Sequence, residues 1–405
     1  MYIRQECLFS FDELIKFQPE TKLEMVFSQL DFSNVVLSLS RSEYKRGPKG
    51  YDPLPLLYAL VAMQLEKIPN IAKLVDRLKS DPVFRYNCGF SVFGPTPSAS
   101  TFSRFLNLIS KSEALEEDFK QLILKAKDLN IIDSTNIAID STKLNAFEKP
   151  KPKSKLKDDG KSPNWGKKKD TDGNDIKWFG WKLHIIADCK SELPLAIEIT
   201  PASVNDSILA IPLLKKLKEF YGNTFDVKHC IMDSGYDIKE NYDYIMNEFH
   251  AQPIIAYNKR GSFAPPEGLN ERLHPICSMG YELVYWGKDG DYLKFRCPHV
   301  LGKIDCPHGS SWCSNSNYGY CLKINYKKNN RYFSFPIRSS DEWQEIYNLR
   351  TSIERCNSRL KDYLNTDNLR SAGIKKAKTF ALLNCITLVA GTIAVNVTKS
   401  LPKVA

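Results

Sequence analysis

Strands and helices alternate in the middle of the chain, and this order limits the fold more than any other sequence feature. Two helical segments, at 207–221 and 239–249, interrupt a series of short β-branched runs. The runs, which are typical of strands, are 136–140, 182–188, 194–200, 229–233 and 253–256. Strands interleaved with helices predict an α/β layer around one sheet. Because three strands precede the first helix, we expect a mixed sheet with an antiparallel meander at its start.

The flanking segments predict further units, since 405 residues at roughly 150 per domain are enough for two or three domains. Residues 1–130 are expected to form an all-helical domain, because apolar residues recur there at helical spacing. The α/β domain is expected at 131–258, and its C-terminal helices at 341–405. Between these two parts, residues 259–340 are strand-like, aromatic and cysteine-rich, which predicts a β-rich insertion.

Charge and thiol content narrow the class of protein. Lys and Arg (57) exceed Asp and Glu (47), and the net charge of +10 suits nucleic acid, an anionic membrane, or simple solubility. The apolar stretch 380–397 contains Asn and Thr and is shorter than the ~20 apolar residues of a membrane span, so we expect a buried helix and no membrane. Eleven Cys, an odd number, and a charged N-terminus unlike a secretory signal favour reduced thiols in the cytoplasm.

Two aspartates stand at the ends of predicted buried strands. Asp140 closes the run that starts at Asn136, and Asp233 closes the run that starts at His229. Open α/β sheets bind ligands at the carboxyl ends of their strands, although a single Asp there is more often a turn former or a helix cap. Two such acids with a third on a facing helix would instead form an anionic cluster that a hard divalent cation neutralises.

The third acid is on a helix predicted over 345–361, with Ser339 and Glu342 as its capping box. At 100° per residue, four polar side chains share an arc of about 60°; they are Tyr347, Arg350, Glu354 and Lys361. A separate apolar stripe consists of Leu349, Ile353, Cys356, Leu360 and Leu364. The polar face is either an ordinary solvated surface or a site that holds a metal beside a phosphate backbone.

The spacing Tyr347-x2-Arg350-x3-Glu354-x6-Lys361 resembles the YREK signature of DDE transposases of the IS-four family of bacterial insertion sequences. The contexts of the other two acids, 138–142 and 233–237, resemble the first two blocks of the Asp-Asp-Glu motif. Weaker similarity to the strands between these blocks is found at 180–184 and 200–206, and to the N-terminal helical domain of these transposases at 51–54, 81–85 and 97–105.

This resemblance implies a ribonuclease H-like mixed sheet with helices on both faces. Asp140, Asp233 and Glu354 would be the catalytic residues and would bind two Mg²⁺ ions, for which Mn²⁺ would substitute. The enzyme would cut double-stranded DNA at terminal inverted repeats and join the 3′-OH ends to target DNA. Tyr347, Arg350 and Lys361 would hold phosphates.

The resemblance also implies a homodimer on DNA and a bacterial cytoplasmic protein associated with the nucleoid. Two alternatives are a metal-dependent nuclease of the same fold without strand transfer and a non-catalytic relative that only binds DNA. The presence of all three acids argues against the second alternative.

Further basic residues are candidates for DNA contacts. The segment 149–169 holds nine lysines and is expected to be a mobile loop, either merely solvated or adding phosphate contacts through Lys167 and Lys168. Arg104, on a helix predicted to start at Ser98 or Ser100, would face DNA unless this helical bundle serves only packing. Three tryptophans would either stack on bases or belong to the core; they are Trp165, Trp178 and Trp181.

The remaining candidates surround the acids or lie in the insertion. Asn205, Asp206 and His184 would support the metal ligands, and Asp237 would cap the next helix. Five cysteines of the insertion suggest either a zinc site or small buried thiols; they are Cys277, Cys297, Cys306, Cys313 and Cys321. The absence of any Cys-x2-Cys pair favours buried thiols.

Overall fold

The computed structural model describes residues 10–39, 50–155, 159–169, 173–259, 265–309 and 311–400. The first nine residues, which contribute to the prediction about a secretory signal, lie outside this part. The N-terminal part is helical, as predicted. Its helices are α1 (Phe11–Lys16), α2 (Lys22–Phe27), α3 (Ser33–Leu39), α4 (Pro53–Leu65), α5 (Ile71–Ser80), α6 (Pro82–Asn87), α7 (Ala99–Ile109) and α8 (Ala114–Asp128).

Local sequence signals fix where several of these helices begin. The Asp52 side chain accepts a hydrogen bond from the backbone N–H of Leu54, and Pro53 occupies the first helical position of α4. The Ser98 side chain accepts from the backbone N–H of Thr101, so Ser98 rather than Ser100 caps α7. Caps of this kind satisfy donors that the first helical turn leaves without a partner.

The α/β part forms one sheet of six strands with helices between the later ones. Its elements are β1 (Asn136–Asn145), β2 (Asn164–Lys169), β3 (Asp175–Asp188), β4 (Pro194–Pro201), α9 (Ala210–Tyr221), β5 (His229–Met232), α10 (Lys239–Asp243) and β6 (Gln252–Ile255). β3 pairs antiparallel with β1, β2 and β4, whereas β5 is parallel to β1 and β6 is parallel to β5. The predicted mixed sheet with an initial meander is confirmed.

The lysine-rich segment 149–169 was predicted to be a mobile loop, but part of it is a strand. Residues 164–169 form β2, which pairs with the first half of β3, and Gly166 lies against the ring of Trp178. This strand forms because β3 is fourteen residues long and leaves a free edge beyond the end of β4. Residues 156–158 of the segment lie outside the described residues.

A second, smaller sheet lies within residues 259–340. It is antiparallel, in the order β7 (Val284–Asp289), β8 (Tyr292–Arg296) and β9 (Cys321–Asn325). Its core is separate from that of the larger sheet and is centred on Leu283, Leu293 and Phe295. The other described residues of this segment are mostly turns.

Three helices follow: α11 (Asp341–Asn348), α12 (Thr351–Ser358) and α13 (Ile374–Ser400). α13 is long and apolar enough to cross a membrane, but 72% of its apolar window is buried inside the protein, which confirms the predicted buried helix. It packs against α2, α4, α7 and α8 of the helical part and against β4 of the sheet. One hydrophobic core therefore includes both parts, and the domain boundaries at 130, 258 and 340 stay predictions.

Candidate active site

The two predicted strand-end acids lie next to each other. β1 and β5 are parallel, and their pairing ends with Ile139 opposite Met232, so the following residues, Asp140 and Asp233, stand side by side. The prediction that Asp140 ends its strand is wrong, because β3 continues to pair with β1 as far as Asn145. It marks only the point where β5 leaves β1.

Both carboxyl groups are partly buried, and local backbone groups hold them. Asp140 accepts a hydrogen bond from the Ser141 N–H at 2.7 Å, and Asp233 accepts from the Gly235 N–H at 2.8 Å in a short 3-10 turn. Burial, and secondly the negative charge of Asp233, raises the pKa of Asp140 to about 7. Burial also raises the pKa of Asp233. The ionised forms of both carboxyl groups are therefore destabilised at this site.

The third acid was predicted on one continuous helix, but the structure divides this segment into α11 and α12. α11 ends at Asn348, and Leu349 and Arg350 form a tighter turn in which each N–H bonds the carbonyl three residues earlier. Leu349 is consequently 38% exposed instead of joining the apolar stripe. The other stripe residues are buried, as predicted; they are Ile353, Cys356, Leu360 and Leu364.

The predicted cap of this helix is wrong by one residue. Ser340, not Ser339, accepts from the Trp343 N–H, at 3.2 Å. The Ser339 hydroxyl instead bonds the ring of His274 in the insertion. Moving the cap by one residue also excludes the predicted capping box with Glu342, because the third helical position is then Trp343.

Two residues of the polar face, Tyr347 and Arg350, lie near the two aspartates, and Glu354 pairs with Arg350. Arg350 Nη2 lies 2.6 Å from Glu354 Oε1, and the Arg350 guanidinium lies 5.9 Å from the centre of the Tyr347 ring. The positive charge of Arg350 acts on both Asp140 and Asp233 and opposes the rise in their pKa that burial causes. The Glu354 side chain is 52% exposed and faces solvent rather than an apolar interior.

A basic cluster completes the site on the side of β2. Lys361 is partly buried and follows α12. Burial lowers its pKa, and the positive charges of Lys168 and Lys143 add to this effect. The negative charges of Asp367 and Asp140 oppose it. Lys143 was missed by the sequence prediction, because β1 was expected to end at Asp140.

A third aspartate lies close to this pair. Lys182 Nζ lies 2.9 Å from Asp206 Oδ1, and the charge of Asp206 raises the pKa of Asp140 and of Asp233. His184 is fully buried, its ring bonds the Thr200 hydroxyl at 2.8 Å, and burial lowers its pKa to about 4. His184 is therefore neutral at pH 7, and Lys182 is the cation that compensates Asp206.

Models of two protein families match the chain. One, described as "Transposase DDE domain", matches residues 125–390, and the other, described as "Transposase domain (DUF772)", matches residues 10–108. The chain belongs to the transposase DDE domain family. No curated protein matches this transposase. A cryo-EM structure of a piggyBac transposase synaptic complex with hairpin DNA is similar over 94% of this chain and 76% of that chain, but 13% identity and a TM-score of 0.40 are too low to support an inference.

The remaining candidates lie at the edges of the transposase site or apart from it. Trp178 and Trp181 are buried in the core, and the Trp165 indole donates to the Lys151 carbonyl at 3.0 Å. Lys167 pairs with Asp175 at 2.8 Å across β2 and β3. Arg104 is exposed on α7, where its Nε donates to the Ser100 carbonyl of the same helix at 3.3 Å.

Two further residues of the transposase have local structural contacts. Asn205 accepts from the Ser207 N–H and so caps the short turn that contains Asp206. The prediction that Asp237 caps α10 is wrong, because that helix starts after Ile238 without a side-chain cap. Instead, Asp237 is buried in an ion pair with Arg331 at 3.0 Å, which joins the sheet to the insertion.

The acids of the transposase suit a hard divalent cation, although their present arrangement is open. In the described parts of the chain, no group of three or more His, Cys, Asp or Glu side chains has the arrangement of a metal site. Asp140 and Asp233 nevertheless offer adjacent carboxylate oxygens whose mutual repulsion a cation would relieve. The third predicted acid, Glu354, is paired with Arg350.

Proposed function

We propose that this protein is a DNA transposase of the IS-four type with a ribonuclease H-like catalytic domain. It would cut double-stranded DNA at the terminal inverted repeats of an insertion sequence and join the 3′-OH ends to target DNA. The observation that carries this proposal is the pair Asp140 and Asp233, which directly follow the last paired residues of the parallel strands β1 and β5, next to the Arg350–Glu354 ion pair. A sheet in which an antiparallel meander leads into parallel strands also suits this domain.

Asp140, Asp233 and Glu354 would hold two Mg²⁺ ions, with Mn²⁺ as a substitute. Cations at such a site activate a water for attack on the phosphodiester and stabilise the leaving oxygen. The protein supplies the carboxylates on two strands and one helix, which are rigid supports. Lys182 compensates Asp206, so the uncompensated charge stays on Asp140 and Asp233.

The basic residues would bind the DNA backbone around the cut. Arg350 would grip a phosphate with two parallel hydrogen bonds, and the Tyr347 hydroxyl would donate a third. Lys361, Lys168 and the newly found Lys143 would hold the neighbouring phosphates. Lys167 and Arg104 would add outer contacts on a homodimer bound to DNA in the bacterial cytoplasm, at the nucleoid.

Removing one lysine of this cluster should weaken DNA binding through salt-dependent contacts. For Lys168→Ala, the slope of log K against log salt concentration should fall by about 1, uniformly across DNA sequences. The control is Lys228→Ala, an exposed lysine just before β5, at the opposite end of the strand from Asp233. Fluorescence anisotropy with labelled duplex DNA at several salt concentrations measures the slope. Equal slopes for both variants would remove Lys168 from the DNA surface.

The proposed activity is tested with DNA that carries the terminal inverted repeats of the element and with DNA whose ends are scrambled. We expect Mg²⁺-dependent cleavage at the repeat ends, followed by joining to a target plasmid, and no product with a chelator. Cleavage without joining would instead indicate the nuclease. Specific binding without cleavage would indicate a relative that only binds DNA.

A further inference from the structure

A buried ion pair joins the large sheet to the insertion four residues after Asp233. Asp237 is 1% exposed, and Arg331 of the insertion donates from Nε to its Oδ1 at 3.2 Å and from Nη2 to its Oδ2 at 3.0 Å. The Tyr242 hydroxyl also donates to Oδ1, at 3.0 Å. An arginine that binds both oxygens of a carboxylate fixes the orientation of the two groups as well as their charge. The insertion is therefore held to this part of the sheet in one defined arrangement.

Asn258 extends this contact to the turn that carries the second acid. Its backbone N–H donates to Asp237 Oδ2 at 2.9 Å, and its side-chain Nδ2 donates to the Ser234 carbonyl at 2.9 Å. In the same turn, the Gly235 N–H donates to the Asp233 carboxylate at 2.8 Å. A continuous series of hydrogen bonds therefore leads from the insertion, through Asp237 and Asn258, to the backbone that holds Asp233.

Arg338 ties the end of the insertion to the same place. Its Nη2 donates to the Arg331 carbonyl at 3.1 Å, to the Tyr242 hydroxyl at 3.3 Å and to the Ile255 carbonyl at 3.4 Å. Ile255 is the last residue of β6, which is the neighbour of β5 at the outer edge of the sheet. The arginine therefore links the residue that holds Asp237 to the strand beside β5.

Polar contacts, rather than a shared apolar core, fix the insertion at this junction. Among the described residues, the buried apolar core of the insertion is separate from that of the larger sheet. A buried ion pair adds little stability over apolar packing of the same volume, but removing one partner leaves a buried charge without compensation. The Asp237–Arg331 pair is therefore suited to fixing one orientation of the two parts.

We propose that the insertion positions Asp233 for metal binding, with Arg331 and Asn258 as positioning residues. This inference rests on the proposed function, because it takes Asp140 and Asp233 to be metal ligands. Contacts behind a metal ligand set its orientation, and their loss typically lowers metal affinity 10–100-fold. A carboxylate on a turn that is already held in place binds a cation without first having to be ordered.

The proposal is tested with Arg331→Lys in the full chain, which keeps the charge but loses the paired hydrogen bonds. Without metal, amide hydrogen–deuterium exchange of a peptide that contains residues 234–236 should be several-fold faster than in wild type. Peptides from β1 and β3 should exchange as in wild type, because the effect is local. The dissociation constant for Mn²⁺, measured by electron paramagnetic resonance, should rise about tenfold.

Arg296→Lys is the matched control, since it makes the same change at another buried arginine of the insertion. Arg296 lies over the Trp286 ring and donates to the Tyr318 carbonyl, both within the insertion. This variant should keep the exchange rate of the turn and the Mn²⁺ affinity of wild type. Asp140→Asn should lose the Mn²⁺ binding, which identifies the acids as its site.

Unchanged exchange of the turn or unchanged Mn²⁺ affinity in Arg331→Lys would overturn the positioning role, and so would equal effects in Arg296→Lys. If Arg331→Lys fails to fold, Asn258→Ala replaces it. That variant removes the bond to Ser234 and should show the same two changes, whereas wild-type values would contradict the proposal. A wild type that binds no Mn²⁺ would overturn the proposed metal site as well, so the two failures are distinguishable.

Discussion

Replacing Asp140 by asparagine is expected to abolish DNA cleavage and, at the same time, to stabilise the fold. If Asp140 holds the metals as proposed, loss of its carboxylate removes several kcal/mol of transition-state stabilisation, or about 10³-fold in rate. Glu354→Gln should lower the rate similarly but should not stabilise the fold, because Glu354 is exposed and already paired with Arg350. Cleavage of repeat-end DNA with Mg²⁺ measures the first effect, and DNA binding by both variants should persist.

The stabilising effect of Asp140→Asn should depend on pH. The pKa of Asp140 is about 7 in the fold against 3.8 for the ordinary group, so the unfolded chain loses this proton at lower pH than the folded one. The folded state therefore loses stability as pH rises from about 4 to 7. Asparagine does not ionise and escapes this loss, which is on the order of 4 kcal/mol.

Thermal unfolding without divalent cations at pH 5 and pH 8 tests the pH dependence. The melting temperature of Asp140→Asn should exceed that of wild type at both pH values, by less than half as much at pH 5 as at pH 8. Asp226→Asn, a change to an exposed loop acid, is the control and should behave as wild type at both values. An equal melting temperature for Asp140→Asn and wild type at pH 8 would show that burial and the charge of Asp233 do not destabilise the ionised Asp140 carboxylate.

Gly180→Ala is expected to destabilise the protein by about 3 kcal/mol, the upper part of the range for overpacking. Gly180 lies on β3, where a Cβ would stand 2.6 Å from the backbone nitrogen of Ala146 and still closer to the carbonyl oxygen of Leu144. Backbone atoms of β1 cannot rotate away as a flexible side chain can, so the two strands must separate. Chemical denaturation followed by circular dichroism measures the loss of free energy of unfolding.

The control for this glycine is Gly391→Ala in α13. A Cβ at Gly391 meets no atom within 4 Å, and alanine favours a helix over glycine, so this variant should be about as stable as wild type or up to about 1 kcal/mol more stable. Equal stability of the two alanine variants would contradict the close approach of β1 to β3.

The two aspartates and the polar helix face could be predicted because each depends on local patterns. Buried β-branched runs identify the strands before Asp140 and Asp233, and a fixed spacing brings Arg350 and Glu354 to one face. β2 could not be predicted, because a lysine-rich segment becomes a strand only when a distant strand offers it a free edge. The same non-local pairing extends β1 past Asp140 and so places Lys143 near the site.

Other features depend on contacts that no local pattern records. The cap lies at Ser340, and the neighbouring Ser339 hydroxyl bonds His274 of the insertion, a residue far away in the sequence.

The position of α13 has a consequence for how the protein is made. This helix packs among helices near the start of the chain, and Lys378 of α13 pairs with Glu116 of α8 at 2.9 Å. Nearly 250 residues separate the end of α8 from the start of α13, which a ribosome adds in roughly 10–50 s. During that time the early helices lack their central partner and expose apolar surface. Translation interrupted before α13 would therefore yield a nascent chain prone to chaperone capture and proteolysis.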